Sequence, residues 1–140
     1  MATSESDLRW KRVFYALSAL ITRTNSDSFV IVEELHTSRF IQFCCHPGPE
    51  LCLDLPQETL SVEEMERALV YFQRHGVKGL TASDCFRIDP DTGEEEHAGH
   101  RHSVTMELGS SVRLATQIVF DVFEKVYLSS NDFDLLIKEN

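Results

Sequence analysis

The densest group of potential metal ligands in this sequence is the stretch EEEHAGHRH, which ends at His102. Its histidines, His97, His100 and His102, follow three glutamates, and borderline divalent metals accept both imidazole and carboxylate. A defined site also needs fixed geometry and a second shell that orients each imidazole. The surrounding Pro, Gly and acidic residues provide neither. We therefore predict a solvated hairpin tip within an acidic, histidine-rich loop of about 89–102, with metal binding as the alternative function.

The cysteines are a second group with chemical potential. They stand at Cys44, Cys45, Cys52 and Cys85. Successive residues of a strand point to opposite faces, so Cys44 and Cys45 are not expected to ligate one ion together. We interpret most of the thiols as small, reduced, apolar side chains, because unpaired Cys is among the most buried residue types. A catalytic thiol would need a neighbouring histidine (His36, His46 or His75) and an oxyanion hole, which the sequence does not bring together.

No motif in the chain indicates a reaction. Glu63 and Glu64 fall at the start of a predicted helix, where negative charge is favourable without any catalytic role. The sequence has no phosphate-binding glycine loop, no GxSxG and no HExxH. We predict that the chain is not an enzyme and carries no cofactor. The competing hypothesis is an enzyme whose pocket combines distant residues, such as Cys52 or Cys85 with a histidine.

Length and charge narrow the class of protein. The chain has 140 residues, which is typical of one domain spanning 1–140, and a formal net charge of −10. Nucleic acids and anionic membranes attract clustered Lys and Arg, so this charge argues against both as partners. The first residues, MATSESDLRWKR, do not resemble a signal peptide, and no apolar run approaches the ~20 residues of a membrane helix. We expect a cytoplasmic protein.

Hydrophobic periodicity predicts the elements that would position these residues. Helices are expected over 7–23, from a capping box at Ser61 and Glu64, and from Ser111 to about Leu128. Strands are expected over 29–35, 38–45, 51–55, 81–88 and 103–108, and the tail near Phe133 offers one more. The connections are too short for parallel crossovers. The predicted fold is α+β: one antiparallel sheet of about five strands with three helices packed on it, in the order α-βββ-α-ββ-α.

The third predicted helix is apolar around more than one face. The residues concerned are Ile118, Val119, Phe120, Val122, Phe123, Val126 and Tyr127. Such a helix is either enclosed in the core or packs on one side against another chain. Both alternatives stay open, and the second makes these residues candidates for a partner or dimer surface.

The order of elements resembles a known family. The segments FVIVEELHTSRFIQF, LCLDLP, LSVEEMERALVYFQRHGV and ATQIVFDVFEKVYLSSNDFDLLIKEN together resemble the bacterial YbjN-like, Tir-chaperone-like family. Its members share the fold of class I type III secretion chaperones. The resemblance implies a small acidic cytoplasmic protein, often a homodimer, that binds an extended polypeptide on apolar surfaces or by adding a strand to its sheet. It implies no catalytic residues.

Overall fold

The computed structural model describes residues 5, 7–23, 28–75, 81–88 and 91–140, and for 58, 81–88 and 95–103 it describes the backbone alone. The elements are α1 (Leu8–Thr22), β1 (Phe29–Glu34), β2 (Phe40–His46), β3 (Glu50–Pro56), α2 (Val62–Gln73), β4 (Thr81–Ile88), β5 (Glu95–Gly109), α3 (Val112–Lys125) and β6 (Leu135–Glu139). A 3-10 turn, Gln57–Thr59, connects β3 to α2. The predicted α+β class and the order α-βββ-α-ββ-α are confirmed, and the tail forms a sixth strand.

All strands belong to one antiparallel sheet with the spatial order β4-β5-β3-β2-β1-β6. The first three strands form a meander, because their connections are long enough only for antiparallel neighbours. Strand β5 then pairs with β3, and the last strand, β6, pairs with β1. Strands β4 and β6 therefore occupy the two edges, and β2 and β3 lie at the centre.

Side-chain caps start the three helices. The carboxylate of Asp7 accepts from the backbone N–H of Arg9 at 2.8 Å, and Ser111 accepts from the N–H of Leu114 at 3.2 Å. The predicted capping box at α2 is confirmed, with Ser61 and Glu64 exchanging two hydrogen bonds of 2.9 and 3.1 Å. Each cap satisfies backbone donors that the first turn leaves unpaired. No described helix is long and apolar enough to cross a membrane.

The core lies on one face of the sheet. Side chains of β2 and β3 alternate between fully buried positions (Ile41, Phe43, Leu51, Leu53, Leu55) and half-buried ones. The buried set faces α1 and α3, which also contact each other. Because successive strand residues point to opposite faces, the half-buried set lies on the other face, which we call the open face.

The apolar residues of helix α3 are buried in this core. Every residue that was a candidate for a partner or dimer surface is at most 2% exposed: Ile118, Val119, Phe120, Val122, Phe123, Val126 and Tyr127. The sheet covers one side of the helix, and α1 and α2 pack against the others. The prediction of a partner surface on α3 is therefore wrong, and the core alternative is correct.

The connection from α3 to β6 is fixed by Arg9 at the start of α1. Its guanidinium donates to the backbone carbonyls of Asn131 and Phe133 at 2.7 and 2.8 Å, while the Asp7 carboxylate accepts from it at 2.9 Å. The same group lies 5.0 Å from the centre of the Phe133 ring. Arg9 thus satisfies polar backbone groups where the chain turns towards its last strand.

The histidine-rich segment differs from its prediction. Strand β5 begins at Glu95, so the loop after β4 ends there and His97 and His100 are paired strand residues, with Phe86 and Asp84 as their β4 neighbours. A strand beside the sheet edge tolerates polar residues, because backbone hydrogen bonding does not depend on the side chain. The hairpin itself is confirmed. The side chains of His97, His100 and His102 lie outside the described residues, so their metal binding stays a prediction.

Burial predicts how α3 responds to truncation. Phe120→Ala should lower the free energy of unfolding by about 3–5 kcal/mol, since it opens a cavity in the core. Leu114→Ala on the same helix is the control: Leu114 is 42% exposed, and we expect a change within about 0.5 kcal/mol. Urea denaturation followed by circular dichroism measures both. Equal stabilities of the two variants would contradict the placement of Phe120.

Candidate functional site

Two regions of the described structure lie outside the hydrophobic core and bring together groups that could bind a ligand. The first is a cluster of Cys44, His46 and Cys52 on the open face, which we call the thiol–imidazole cluster. The second is the outer edge of β6 and the groove between it and α1, which we call the β6 edge. Each follows from strand geometry, and neither overlaps the predicted site residues on α3.

The β2–β3 hairpin assembles the thiol–imidazole cluster. Its turn is centred on Gly48, whose φ of 115° lies in the region that favours glycine. The register pairs residues at equal distances from this centre, so Cys44 lies directly across from Cys52. His46 follows Cys44 by two positions and therefore shares its face. Cys45 points the opposite way and packs against the core, as the alternation predicts.

The three side chains are close enough to act on one ligand. The Cys44 sulfur lies 3.9 Å from Nε2 of His46, and the two sulfurs and an imidazole nitrogen all lie within 4.8 Å of one another. Cys44 and Cys52 are half-buried and His46 is exposed, so the cluster is accessible. The described cysteines are free thiols. Cys45 packs against the core, as expected for a small apolar side chain, whereas Cys44 and Cys52 lie together on the open face.

The two thiols have different proton affinities. The hydrogen bond with Cys52, helped by the imidazole of His46, lowers the pKa of Cys44 to about 6. The same hydrogen bond and burial raise the pKa of Cys52. The pair therefore holds one thiolate at neutral pH, which is the form of cysteine that attacks electrophiles and binds metals.

A polar pair lies beside the cluster on the open face. Gln42 donates to the Asp54 carboxylate at 2.7 Å. Glu107 on β5 is the register neighbour of Cys52. The cluster therefore has polar neighbours on β2, β3 and β5, and the half-buried Phe29 is the β1 neighbour of Cys44.

Two hydrogen bonds reveal the orientation of β6. The N–H of Asn140 donates to the carbonyl of Phe29 at 3.1 Å, and the carbonyl of Asp134 accepts from Leu35 at 2.9 Å. In an antiparallel pair, alternate residues direct their N–H and C=O groups towards the partner strand. The even-numbered residues of β6 therefore bond to β1.

The odd-numbered residues consequently present their backbone to the free edge. Leu135, Ile137 and Glu139 direct N–H and C=O groups away from β1, and within the described part of the chain β6 is the last strand on that side. The side chain of Ile137 shares the core face with its register neighbour Val32, which is buried. The edge thus offers hydrogen-bonding groups beside apolar surface.

A groove accompanies this edge. Its volume is about 490 Å³, and it is lined by Arg12, Tyr15, Ala16, Ala19, Ile137 and Glu139. Tyr15 is 69% exposed, and its ring contacts Phe14 edge-on at 6.1 Å, so it offers aromatic surface on the α1 side of the groove. A strand placed beside β6 would direct its core-side residues into this groove.

A further groove, of about 400 Å³, lies between α2 and α3. Arg67, Arg74, Lys125 and Tyr71 line it with two neighbours. The Tyr71 hydroxyl donates to Asp121 at 2.7 Å, and Arg67 donates to the carbonyl of Val126 at 2.8 Å. These bonds join the two helices, and we interpret the groove as part of their packing.

Comparison with known proteins finds no matching family model, no significantly similar curated protein and no significantly similar solved structure. The resemblance to the YbjN-like family therefore stays a prediction.

The pKa difference predicts selective alkylation. Iodoacetamide should modify Cys44 fastest among the described cysteines at pH 7, since its thiolate forms as the pH rises through about 6, whereas burial raises the pKa of Cys45. Peptide mass spectrometry over a pH series measures each rate. Cys52→Ala should move the midpoint for Cys44 upward, because it removes the stabilising hydrogen bond. Equal rates at Cys44 and Cys45 would contradict this assignment.

Proposed function

We propose that this chain is a non-enzymatic protein-binding module, which holds an extended polypeptide segment in a chaperone-like manner at the β6 edge. One observation carries the proposal: the outward backbone groups of Leu135, Ile137 and Glu139 border the groove beneath α1. An exposed strand edge is a template for another chain, and adjacent pockets select its side chains.

The backbone groups of β6 and the groove beside them would have different roles in recognition. Backbone hydrogen bonds from three residues give affinity without regard to sequence, and the groove gives preference for apolar side chains at alternate positions. Tyr15 and Ile137 supply apolar contact on the two walls, and Ala16 and Ala19 leave room between them. A segment with alternating apolar residues fits this surface.

The charge of the chain and its family resemblance support the same proposal. A net charge of −10 favours basic or weakly folded polypeptides over nucleic acid and anionic membrane. The YbjN-like resemblance implies a fold whose members bind extended clients, in part by adding a strand to the sheet. The groups at the β6 edge match that mode of binding.

The proposal that the chain is not an enzyme rests on the shape of its grooves. The groove between α2 and α3 and the groove beside β6 are open and lie beside helices, whereas the Cys44 thiol lies on the open face. A catalytic site needs substrate-enclosing surface around its nucleophile. Beside the cluster, the described residues place the polar pair of Gln42 and Asp54.

A second copy of the chain is the alternative occupant of the β6 edge. Two antiparallel β6 strands pairing about Ile137 would form a twofold dimer through identical surfaces. The predicted homodimer would therefore form through β6, since the candidate residues on α3 are buried. The repulsion between two chains of charge −10 favours a different polypeptide. Light scattering distinguishes the homodimer from the monomer. A monomer at high micromolar concentration would exclude a second copy of the chain as the occupant of the β6 edge.

Peptide selection tests the proposal directly. A random peptide library displayed on phage should yield, against the full chain, extended peptides with apolar residues at alternate positions. Ala19→Glu should weaken their binding about tenfold or more, because it places a charge in the groove while preserving helix propensity. Fluorescence anisotropy with the synthesised peptides measures the dissociation constants.

The matched control is Leu8→Ser on the same helix. Leu8 is 72% exposed and does not line the groove, so its replacement should change affinity by no more than about twofold. Equal losses in the two variants would show that the peptides bind elsewhere on α1. Peptides that bind as helices would contradict strand addition.

A further inference from the structure

We propose that Cys44, His46 and Cys52 form a binding site for a single thiophilic divalent cation, with Zn²⁺ as the ion whose ligand preferences match it best. This site is independent of the proposed function, because it lies on the open face and the peptide groove lies on the helix face. It also differs from the histidine-rich segment, to which it contributes no residue.

The ligand set is of a type that zinc accepts. Two cysteine sulfurs and one imidazole nitrogen form a Cys₂His set, which leaves the fourth position of a tetrahedral ion to water. Such an open position is characteristic of zinc sites that exchange ligands, whereas purely structural sites are closed by four protein ligands.

The distances are compatible with one ion. Zn–S bonds of about 2.3 Å and Zn–N bonds of about 2.0–2.1 Å in tetrahedral geometry separate neighbouring ligand atoms by about 3.5–3.8 Å. The Cys44 sulfur and His46 Nε2 lie 3.9 Å apart, and the whole set lies within 4.8 Å. Small side-chain rotations would bring the ligand atoms to the separations of a tetrahedral zinc site. The side chain of His46 is exposed and therefore has room to rotate.

The sheet holds the ligands in place. β2 and β3 are the central strands, flanked by β1 on one side and β5 on the other, so their backbone is hydrogen-bonded along both edges. Cys44 and Cys52 are direct register neighbours. Fixed ligand positions reduce the ordering cost of binding, which is the property that a ligand set in a loop lacks.

The surrounding charges favour a cation. The carboxylates of Asp54 and Glu107 lie near enough to Cys52 to act on its charge. Asp54 is oriented by Gln42 at 2.7 Å, and Glu50 is the register neighbour of His46 across the hairpin. Three carboxylates around two thiols and an imidazole give the open face a negative potential at this point.

Cobalt substitution tests the site in the full chain. Titration with Co²⁺ under a phosphine reductant should produce thiolate-to-cobalt absorption that saturates at one equivalent, and Zn²⁺ should displace it. Cys44→Ser and Cys52→Ser should each weaken binding by at least about tenfold, because each removes a ligand. Cys45→Ser is the matched control and should leave the affinity unchanged, since Cys45 faces the core.

Circular dichroism of each variant separates loss of a ligand from loss of the fold. Unchanged cobalt absorption in Cys44→Ser would overturn the proposal. So would binding that survives both cysteine variants but disappears in His97→Ala with His100→Ala, since it would assign the ion to the histidine-rich segment. None of these outcomes depends on peptide binding at the β6 edge.

Discussion

The structure depends on burying the apolar side chains of one sheet face under α1 and α3. The central strands contribute alternate residues to this layer, and α3 contributes apolar residues from several of its faces. Hydrophobic burial of this kind is the main favourable term in folding. The apolar candidate residues of α3 all lie in this core, so the two candidate regions lie elsewhere, on the open face and at the β6 edge beside α1.

The two candidate regions are consequences of this one-sided arrangement. β6 lies two strands from β2, about 10 Å at the usual strand spacing. The groove beside β6 faces the helices, however, and the thiol–imidazole cluster faces away from them. The proposed polypeptide at the edge and the proposed cation on the open face would therefore not compete for space, and a substitution in one region should leave the other unchanged.

Sequence patterns predicted the order of elements because alternation and helical periodicity are local. The capping box at Ser61 and the tail near Phe133 were recognised in the same way. The burial of the apolar residues of α3 cannot be predicted in the same way, since periodicity does not show which neighbours cover a helix. Periodicity alone does not predict that Cys44 pairs with Cys52, because it does not give the register of the two strands. A hairpin turn centred on Gly48 places the two cysteines opposite each other.

The central claim is that β6 has a free edge, and amide hydrogen exchange in the free chain tests it most directly. The N–H groups of Ile137 and Glu139 should exchange rapidly, while those of Leu136 and Lys138, bonded to β1, should be protected. Equal protection of all four amides at low protein concentration would show that another part of the chain already covers the edge, and would contradict the account.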